Sequence, residues 1–101
     1  MTTFAVTYVY ADDDAALDAH RPDHRAFLHG LRAEGTLLAS GPQPAAGTEG
    51  GAAAPAGALL VVEADSRQAA LAALDRDPFW TQGLVTERSA REWTVVIGGF
   101  A

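Results

Sequence analysis

The chain has 101 residues, enough for one domain and too few for two, so we expect residues 1–101 to form a single domain. Thirteen acidic residues stand against seven arginines and no lysine, which gives a formal net charge of −6. This balance argues against a nucleic-acid-binding surface and against attachment to anionic membranes. The absence of cysteine excludes disulfides, thiolate metal sites and cysteine nucleophiles.

We expect no signal peptide and no membrane span. The N-terminal residues Met1–Phe4 lack a basic segment followed by an apolar run, and no apolar stretch approaches the ~18 residues of a membrane span. We therefore expect a soluble, cytoplasmic protein that makes no membrane contact.

The first third of the chain predicts a strand followed by a helix. Phe4–Tyr10 is rich in β-branched and aromatic residues. At period two, Phe4, Val6, Tyr8 and Tyr10 fall on one face, which is typical of a half-buried strand. Helix 1 is predicted over Pro22–Glu34, with Pro22 at its first position and Gly35 as the C-terminal cap. Asp13–Ala19 is expected to add no more than a short helical turn before it.

Two strands are predicted next, separated by a loop. Thr36–Ser40 is a short strand 2 that Gly41–Pro42 should end. Residues 42–56 are rich in proline, glycine and alanine without a period, and we expect a mobile loop. Ala58–Ala64 is apolar apart from Glu63, enough to predict a central strand 3.

The last third predicts a second helix and a final strand. Ser66 is a favourable N-cap for helix 2, and Pro78 should end that helix at about Asp77. Gly83 marks a turn, and the last strand lies within Leu84–Ile97.

The order β α β β α β predicts an α+β fold of the ferredoxin-like type. Right-handed crossovers then place both helices on one face of a four-stranded sheet. Strand 3 is apolar on both faces, with Leu59 and Val61 on one and Leu60 and Val62 on the other. The face away from the helices therefore needs a cover, and we expect a homodimer formed by sheet-to-sheet packing.

The same topology brings chemistry-bearing residues to one edge of the sheet. The start of helix 1, the end of strand 2, the end of helix 2 and the start of strand 4 meet there, which gathers His24, Ser40–Pro42, Asp77–Phe79 and Leu84. His24 precedes Leu28 by four positions and so shares the apolar stripe of helix 1, with His29 expected on the opposite side. A histidine in that position is most often a hydrogen-bonded core residue.

Asp77 is expected at the C-terminus of helix 2, where the helix dipole disfavours a carboxylate and favours a compensating partner. His24 is the nearest candidate by topology, while Arg21, Arg76 or simple solvation are the alternatives. A carboxylate on one imidazole nitrogen fixes the tautomer and leaves the other nitrogen as a base or acid. Free N–H groups at the start of helix 1 would add a site for a carboxylate, phenolate or enolate oxygen.

Metal and phosphate sites are not indicated. The three histidines and thirteen acidic residues form no convincing metal-ligand spacing, and Gly50–Gly51 lacks the strand and helix of a phosphate-binding loop. We expect no metal and no other cofactor.

Short segments in a specific order run through nearly the whole chain and together resemble the YciI-like (YCII-related) family. The resemblance implies a dimeric α+β barrel with a histidine–aspartate pair in a cleft. The chain departs from the family pattern in the loop at 42–56. The matching segments are Arg21–Leu28, Gly35, Leu37–Leu38, Ser40–Pro42, Gly57–Ser66, Asp77–Phe79, Gly83–Val85 and Trp93.

The resemblance also implies site residues. The family's histidine falls on His24, its aspartate on Asp77 and the serine of its turn on Ser40. We therefore expect His24 and Asp77 to be catalytic, and Arg21, Ser40 and Phe79 to bind substrate.

Three functions remain open. The first is a cofactor-free enzyme of small cyclic or aromatic metabolites that transfers protons through His24 held by Asp77, as a lyase, an isomerase or a dehydrohalogenase. The second is a non-catalytic dimeric module that binds a small ligand or serves a larger assembly. The third is a cofactor-free monooxygenase. The first requires an open pocket at His24, the second tolerates a filled cleft, and the third requires oxygen uptake with an electron-rich substrate.

Overall fold

The computed structural model describes residues 1–47 and 53–100, which form one antiparallel sheet and three helices. The expected ferredoxin-like order is present, with one additional short helix, α3. None of the described helices is long and apolar enough to cross a membrane. The elements in chain order are β1 (Thr2–Tyr10), α1 (Asp14–Ala33), β2 (Leu37–Gln43), β3 (Gly57–Ala64), α2 (Arg67–Ala73), α3 (Pro78–Thr81) and β4 (Val85–Glu92).

The strands lie in the order β2-β3-β1-β4, and each neighbouring pair is antiparallel. β3 is interior to the sheet, as its largely apolar sequence predicted. Phe4, Val6 and Tyr8 alternate onto one face of β1, where they are buried in the same core as Leu28 of α1 and Ala70 of α2. Both helices therefore cover a single face of the sheet, as the right-handed crossovers require.

The start of α1 differs from the sequence prediction. The helix begins at Asp14, where the side chain of Asp13 accepts a hydrogen bond from the backbone N–H of Ala16, and it continues through Pro22. A proline inside a helix costs about 3 kcal/mol because it removes one hydrogen bond and crowds the preceding turn. Leu17, which is 4% exposed, packs into the core and fixes the first turns on the sheet despite that cost.

The end of α2 also differs. α2 ends at Ala73, and Pro78 opens the new helix α3. Asp77 is the N-cap of α3, where its side chain accepts a hydrogen bond from the backbone N–H of Phe79 at 3.0 Å. Proline suits the first position of a helix as well as the residue after one, and here it takes the first role. The prediction that Asp77 opposes a helix dipole is therefore wrong, since an N-cap position stabilises a carboxylate.

β2 is longer than predicted, because it continues through Gly41–Pro42 to Gln43. It is an edge strand, so the N–H that Pro42 lacks does not break the pairing of two interior strands. Of the loop predicted at 42–56, residues 48–52 lie outside the described residues, and the expected mobility stays a prediction.

Gly57 permits the close approach of β3 to β1. A Cβ atom on Gly57 would lie 1.9 Å from the carbonyl oxygen of Tyr8, whereas a Cβ atom on Gly30 in α1 would meet nothing within 4 Å. We expect Gly57→Ala to lower the free energy of unfolding by about 1–3 kcal/mol or more, because strained backbone must move. Gly30→Ala, the control, should raise it by up to about 1 kcal/mol through helix propensity. Urea unfolding followed by circular dichroism measures both; equal stabilities would contradict the assigned register.

The sheet face away from the helices carries Leu59 and Val61, whose neighbours Leu60 and Val62 point into the core. We propose that a second copy of the chain covers this face. Light scattering at micromolar concentration should then give a mass of about twice the 10.5 kDa of one chain. The variant Leu59→Glu should lower this mass towards that of the monomer. A clean monomer for the unmodified chain would contradict the proposal.

Candidate functional site

The buried carboxylate of Asp77 is the centre of the candidate site. Its Oδ1 lies 2.7 Å from Nδ1 of His24 and also accepts the backbone N–H of Phe79 at 3.0 Å. Its Oδ2 accepts the hydroxyl of Tyr8 at 3.0 Å. Asp77 is 0% exposed, and these three hydrogen bonds replace the water that a buried charge would otherwise lack.

The imidazole of His24 is held in a defined orientation. An ionised carboxylate can only accept, so Nδ1 carries the proton that bonds Asp77, and Nε2 keeps its lone pair when the ring is neutral. The ring also stacks on Phe79, with centroids 3.9 Å apart and planes 3° from parallel. No buried side-chain nitrogen or oxygen of the described residues lacks a hydrogen-bond partner. Nε2 has no partner among them and is therefore not fully buried, and His24 is one of the residues that line the cavity.

His24 lies in the interior of α1, since that helix begins at Asp14. Its surrounding backbone N–H groups belong to the helix and point along the axis to preceding carbonyls. The prediction that free N–H groups beside His24 bind an anion is therefore wrong. Donors for an anion must come from side chains.

A cavity of about 420 Å³ opens between α1, β2 and α3, directly over His24. The three residues expected to bind substrate, Arg21, Ser40 and Phe79, all line it. Asp77 does not line the cavity, but it is hydrogen-bonded to His24, which does. The remaining lining residues are Tyr10, Arg25, Leu28, His29, Arg32, Leu37, Ala39, Gly41, Pro42, Ala58 and Leu60.

Several cavity residues were missed by sequence reasoning. Arg25, His29 and Arg32 line the cavity, although His29 was expected on the far side of α1. They recur at intervals of three or four after Arg21, the spacing of neighbours on one helix face, and this pattern could have identified them. Tyr8 was missed for another reason: its place in an alternating strand predicted a core residue, and nothing in the sequence indicates its bond to Asp77.

Asp77 also affects the two tyrosines of β1. Burial raises the pKa of Tyr8, and the charge of Asp77 and the hydrogen bond to it raise that pKa further. Burial raises the pKa of Tyr10 as well, with a contribution from Asp77, while Arg21 and Arg25 oppose the shift. Tyr8 therefore remains a hydrogen-bond donor to Asp77 over the whole physiological range.

The fold and site define a class: an α+β domain of ferredoxin-like order with a buried histidine–aspartate pair beneath an open cavity. Within residues 1–47 and 53–100, no group of three or more His, Asp or Glu side chains is placed to hold a metal ion. The family model described as the YCII-related domain matches residues 3–94, and the chain belongs to that family.

Two curated relatives are the proteins called YciI from Escherichia coli O6:H1 and from Shigella flexneri. Each is 37% identical to this chain over 93 residues, covering 87% of this chain and 95% of the relative. A similar solved structure is the 5-chloro-2-hydroxyhydroquinone dehydrochlorinase of Burkholderia phenoliruptrix AC1100 in complex with 2,5-dihydroxybenzoquinone. It superimposes with a TM-score of 0.72 at 24% identity, covering 91% of this chain and 93% of that one. At that identity the likeness establishes the fold, while the dimeric barrel stays a prediction.

The raised pKa of Tyr8 predicts sensitivity to alkali. Above the ordinary value of 10.0, the unfolded chain loses the tyrosine proton while the folded chain retains it. The stabilisation is therefore complete below that pH and falls by up to about 1.4 kcal/mol per pH unit above it. Tyr8→Phe should flatten this decline, and it should lower stability at neutral pH by about 1–3 kcal/mol because Asp77 loses a donor.

Urea unfolding at intervals from pH 7 to pH 11 measures both effects. Tyr10→Phe provides the comparison, because Tyr10 shares the strand and the raised pKa but donates no hydrogen bond to Asp77. A Tyr8→Phe variant with the same alkaline slope as the unmodified chain would contradict the burial of that hydroxyl.

Proposed function

We propose that this chain is a cofactor-independent enzyme that transfers protons on a small cyclic or aromatic metabolite, with Nε2 of His24 as the general base and acid. One observation supports the proposal: a buried carboxylate bonds Nδ1 of His24 at 2.7 Å, which leaves Nε2 free, and His24 lines a cavity of about 420 Å³. A histidine that served packing alone could share the hydrogen bond to a carboxylate, but it would not need the open space.

The chemistry follows from that arrangement. Neutral Nε2 accepts a proton from the bound substrate, and Asp77 stabilises the imidazolium that forms. The same nitrogen then returns the proton to another substrate atom in an isomerisation, or to water after an elimination. Phe79 holds the imidazole plane through its parallel stack, so the direction of proton transfer is set before substrate arrives.

The size of the cavity agrees with a single ring as substrate. A volume of about 420 Å³ lies in the range of small-ligand sites. The dehydrochlorinase of the same fold was solved with 2,5-dihydroxybenzoquinone, a planar six-membered ring. Removing HCl from a hydroxylated ring requires a base for the proton and an exit for chloride, and it requires no oxidant. Elimination or isomerisation on such a ring is the reaction class that we propose.

The test compares variants on defined probes under anaerobic conditions. The probes are 5-chloro-2-hydroxyhydroquinone, followed by chloride release, and a set of cyclic enones in D2O, followed by deuterium uptake. We expect His24→Gln to lower the rate by about 10²–10⁴-fold, because a positioned general base is lost. Asp77→Asn should lower it less and redistribute the imidazole proton between Nδ1 and Nε2, which ¹⁵N NMR of labelled histidine detects.

His20→Gln is the matched control, since His20 lies on the same helix but does not line the cavity. Its rate should equal that of the unmodified chain. Probes that bind without reaction, with equal affinity in the unmodified chain and His24→Gln, would favour the binding-module alternative. Oxygen consumption on admitting air, coupled to loss of the probe, would favour the monooxygenase.

A further inference from the structure

The residues that line the cavity are positively charged, although the chain as a whole is acidic. The chain carries thirteen acidic residues against seven arginines, so acids should predominate at a site placed without regard to charge. The described residues that line the cavity nevertheless include Arg21, Arg25 and Arg32 together with His24 and His29, and none of them is Asp or Glu.

The segregation is visible on a single helix. α1 carries Asp14, Asp18 and Asp23 as well as the three arginines, yet none of these acids lines the cavity. Arg21, Arg25 and Arg32 span eleven positions of α1, a row of roughly 16 Å at 1.5 Å per residue. The α1 residues that line the cavity thus include three arginines and no acid, although Asp18 lies close enough to pair with Arg21. This local excess of positive charge points to a ligand of opposite charge.

The arginines differ in how far they are already engaged. Arg21 forms an ion pair with Asp18, three positions before it. The ion pairs within the described parts of the chain leave Arg25 and Arg32 without a carboxylate partner. Arg25 directly follows His24 in sequence, and its charge acts on Tyr10 across the cavity.

We propose that the substrate of this cavity is an organic anion, a small cyclic carboxylic acid whose carboxylate binds Arg25, with Arg21 and Arg32 on either side. The planar guanidinium matches a carboxylate in a bidentate geometry. Leu28 of α1, Leu37 of β2 and Leu60 of β3 also line the cavity, and their apolar side chains accommodate the ring. The inference rests on the proposed function in one respect, since it names the substrate class of the same site.

The ring and the carboxylate then take separate roles. The arginines hold the anion, and the reacting atom of the ring lies at Nε2 of His24, on the part of the cavity wall that His24 and Phe79 form. Positive charge near the site also stabilises an enolate or phenolate that forms when the base removes a proton. One set of side chains therefore selects the substrate and favours the charged intermediate.

The experiment compares acids with their neutral amides. The probe pairs are 3-hydroxybenzoate with 3-hydroxybenzamide and cyclohex-1-ene-carboxylate with its amide, each titrated at pH 7 and followed by heteronuclear NMR. Each acid should bind at least about tenfold more tightly than its amide, the effect of one charged hydrogen bond. The double variant Arg25→Gln, Arg32→Gln should abolish this preference, and Arg25→Lys should keep part of it.

Arg76→Gln is the control, because Arg76 is exposed and does not line the cavity. It should leave the preference unchanged. Equal affinity for acid and amide, no binding of either acid at millimolar concentration, or an intact preference in the double variant would each overturn the inference.

The outcome is separable from that of the proposed function. His24→Gln should retain the preference for the acid while losing proton transfer. If His24→Gln keeps the full rate of proton transfer and the acids are still preferred, the proposed function fails and the anion site stands. If proton transfer depends on His24 but the acids are not preferred, the proposed function stands and the anion site fails.

Discussion

The carboxylate of Asp77 is the interaction on which the rest of the site depends. It joins three elements that are distant in sequence: α1 through His24, β1 through Tyr8 and α3 through the backbone of Phe79. A buried carboxylate that loses a partner is left as an uncompensated charge, which typically lowers the free energy of unfolding by about 3–5 kcal/mol. Asp77 therefore couples the orientation of the His24 imidazole to the positions of α3 and Tyr8. A shift of any of the three would remove a hydrogen bond from the buried carboxylate.

The segment Asp77–Phe79 combines capping and orientation in three consecutive residues. The side chain of Asp77 caps α3, Pro78 supplies the first helical φ angle, and the N–H of Phe79 closes the cap. The ring of Phe79, 1% exposed, then lies parallel to His24. A helix of four residues contributes little to stability by itself, and its place in the fold is explained by the imidazole that it supports.

The sequence predicted the contact of His24 with Asp77 correctly, although the predicted start of helix 1 and the predicted end of helix 2 were wrong. Topology alone decides which ends of elements meet, and topology depends on the order of strands and helices, which periodicity identifies well. The helix bounds depended on two prolines, and each proline is compatible with two local structures. Packing of Leu17 decided the first case, and the cap by Asp77 decided the second. The packing of Leu17 is a tertiary interaction that local sequence does not contain. The cap by Asp77 spans only two residues, so Asp77–Pro78 already carried a local N-cap pattern that the sequence prediction did not use.

The arginines of the cavity show a different limit. Charged residues on a helix predict a solvated face, and Arg21, Arg25 and Arg32 fit that expectation one at a time. Their significance appears only when the neighbouring wall is known, because β2 and β3 enclose the space that these side chains share. Residue type and helical spacing were available in the sequence; the concave surface was not.

The two outer strands of the sheet affect whether unpaired strand edges of different copies can associate during folding. β2 carries Pro42, which has no N–H to offer an incoming strand, and the other outer strand, β4, ends in charged residues such as Arg91 and Glu92. Proline and charge at sheet edges are features by which proteins avoid growing into extended ribbons. Misassembly by continuous hydrogen-bonded addition of strands, the route to fibrils, is therefore disfavoured from both sides. Two copies that meet through the apolar sheet face are therefore directed to pack face to face, and not edge to edge.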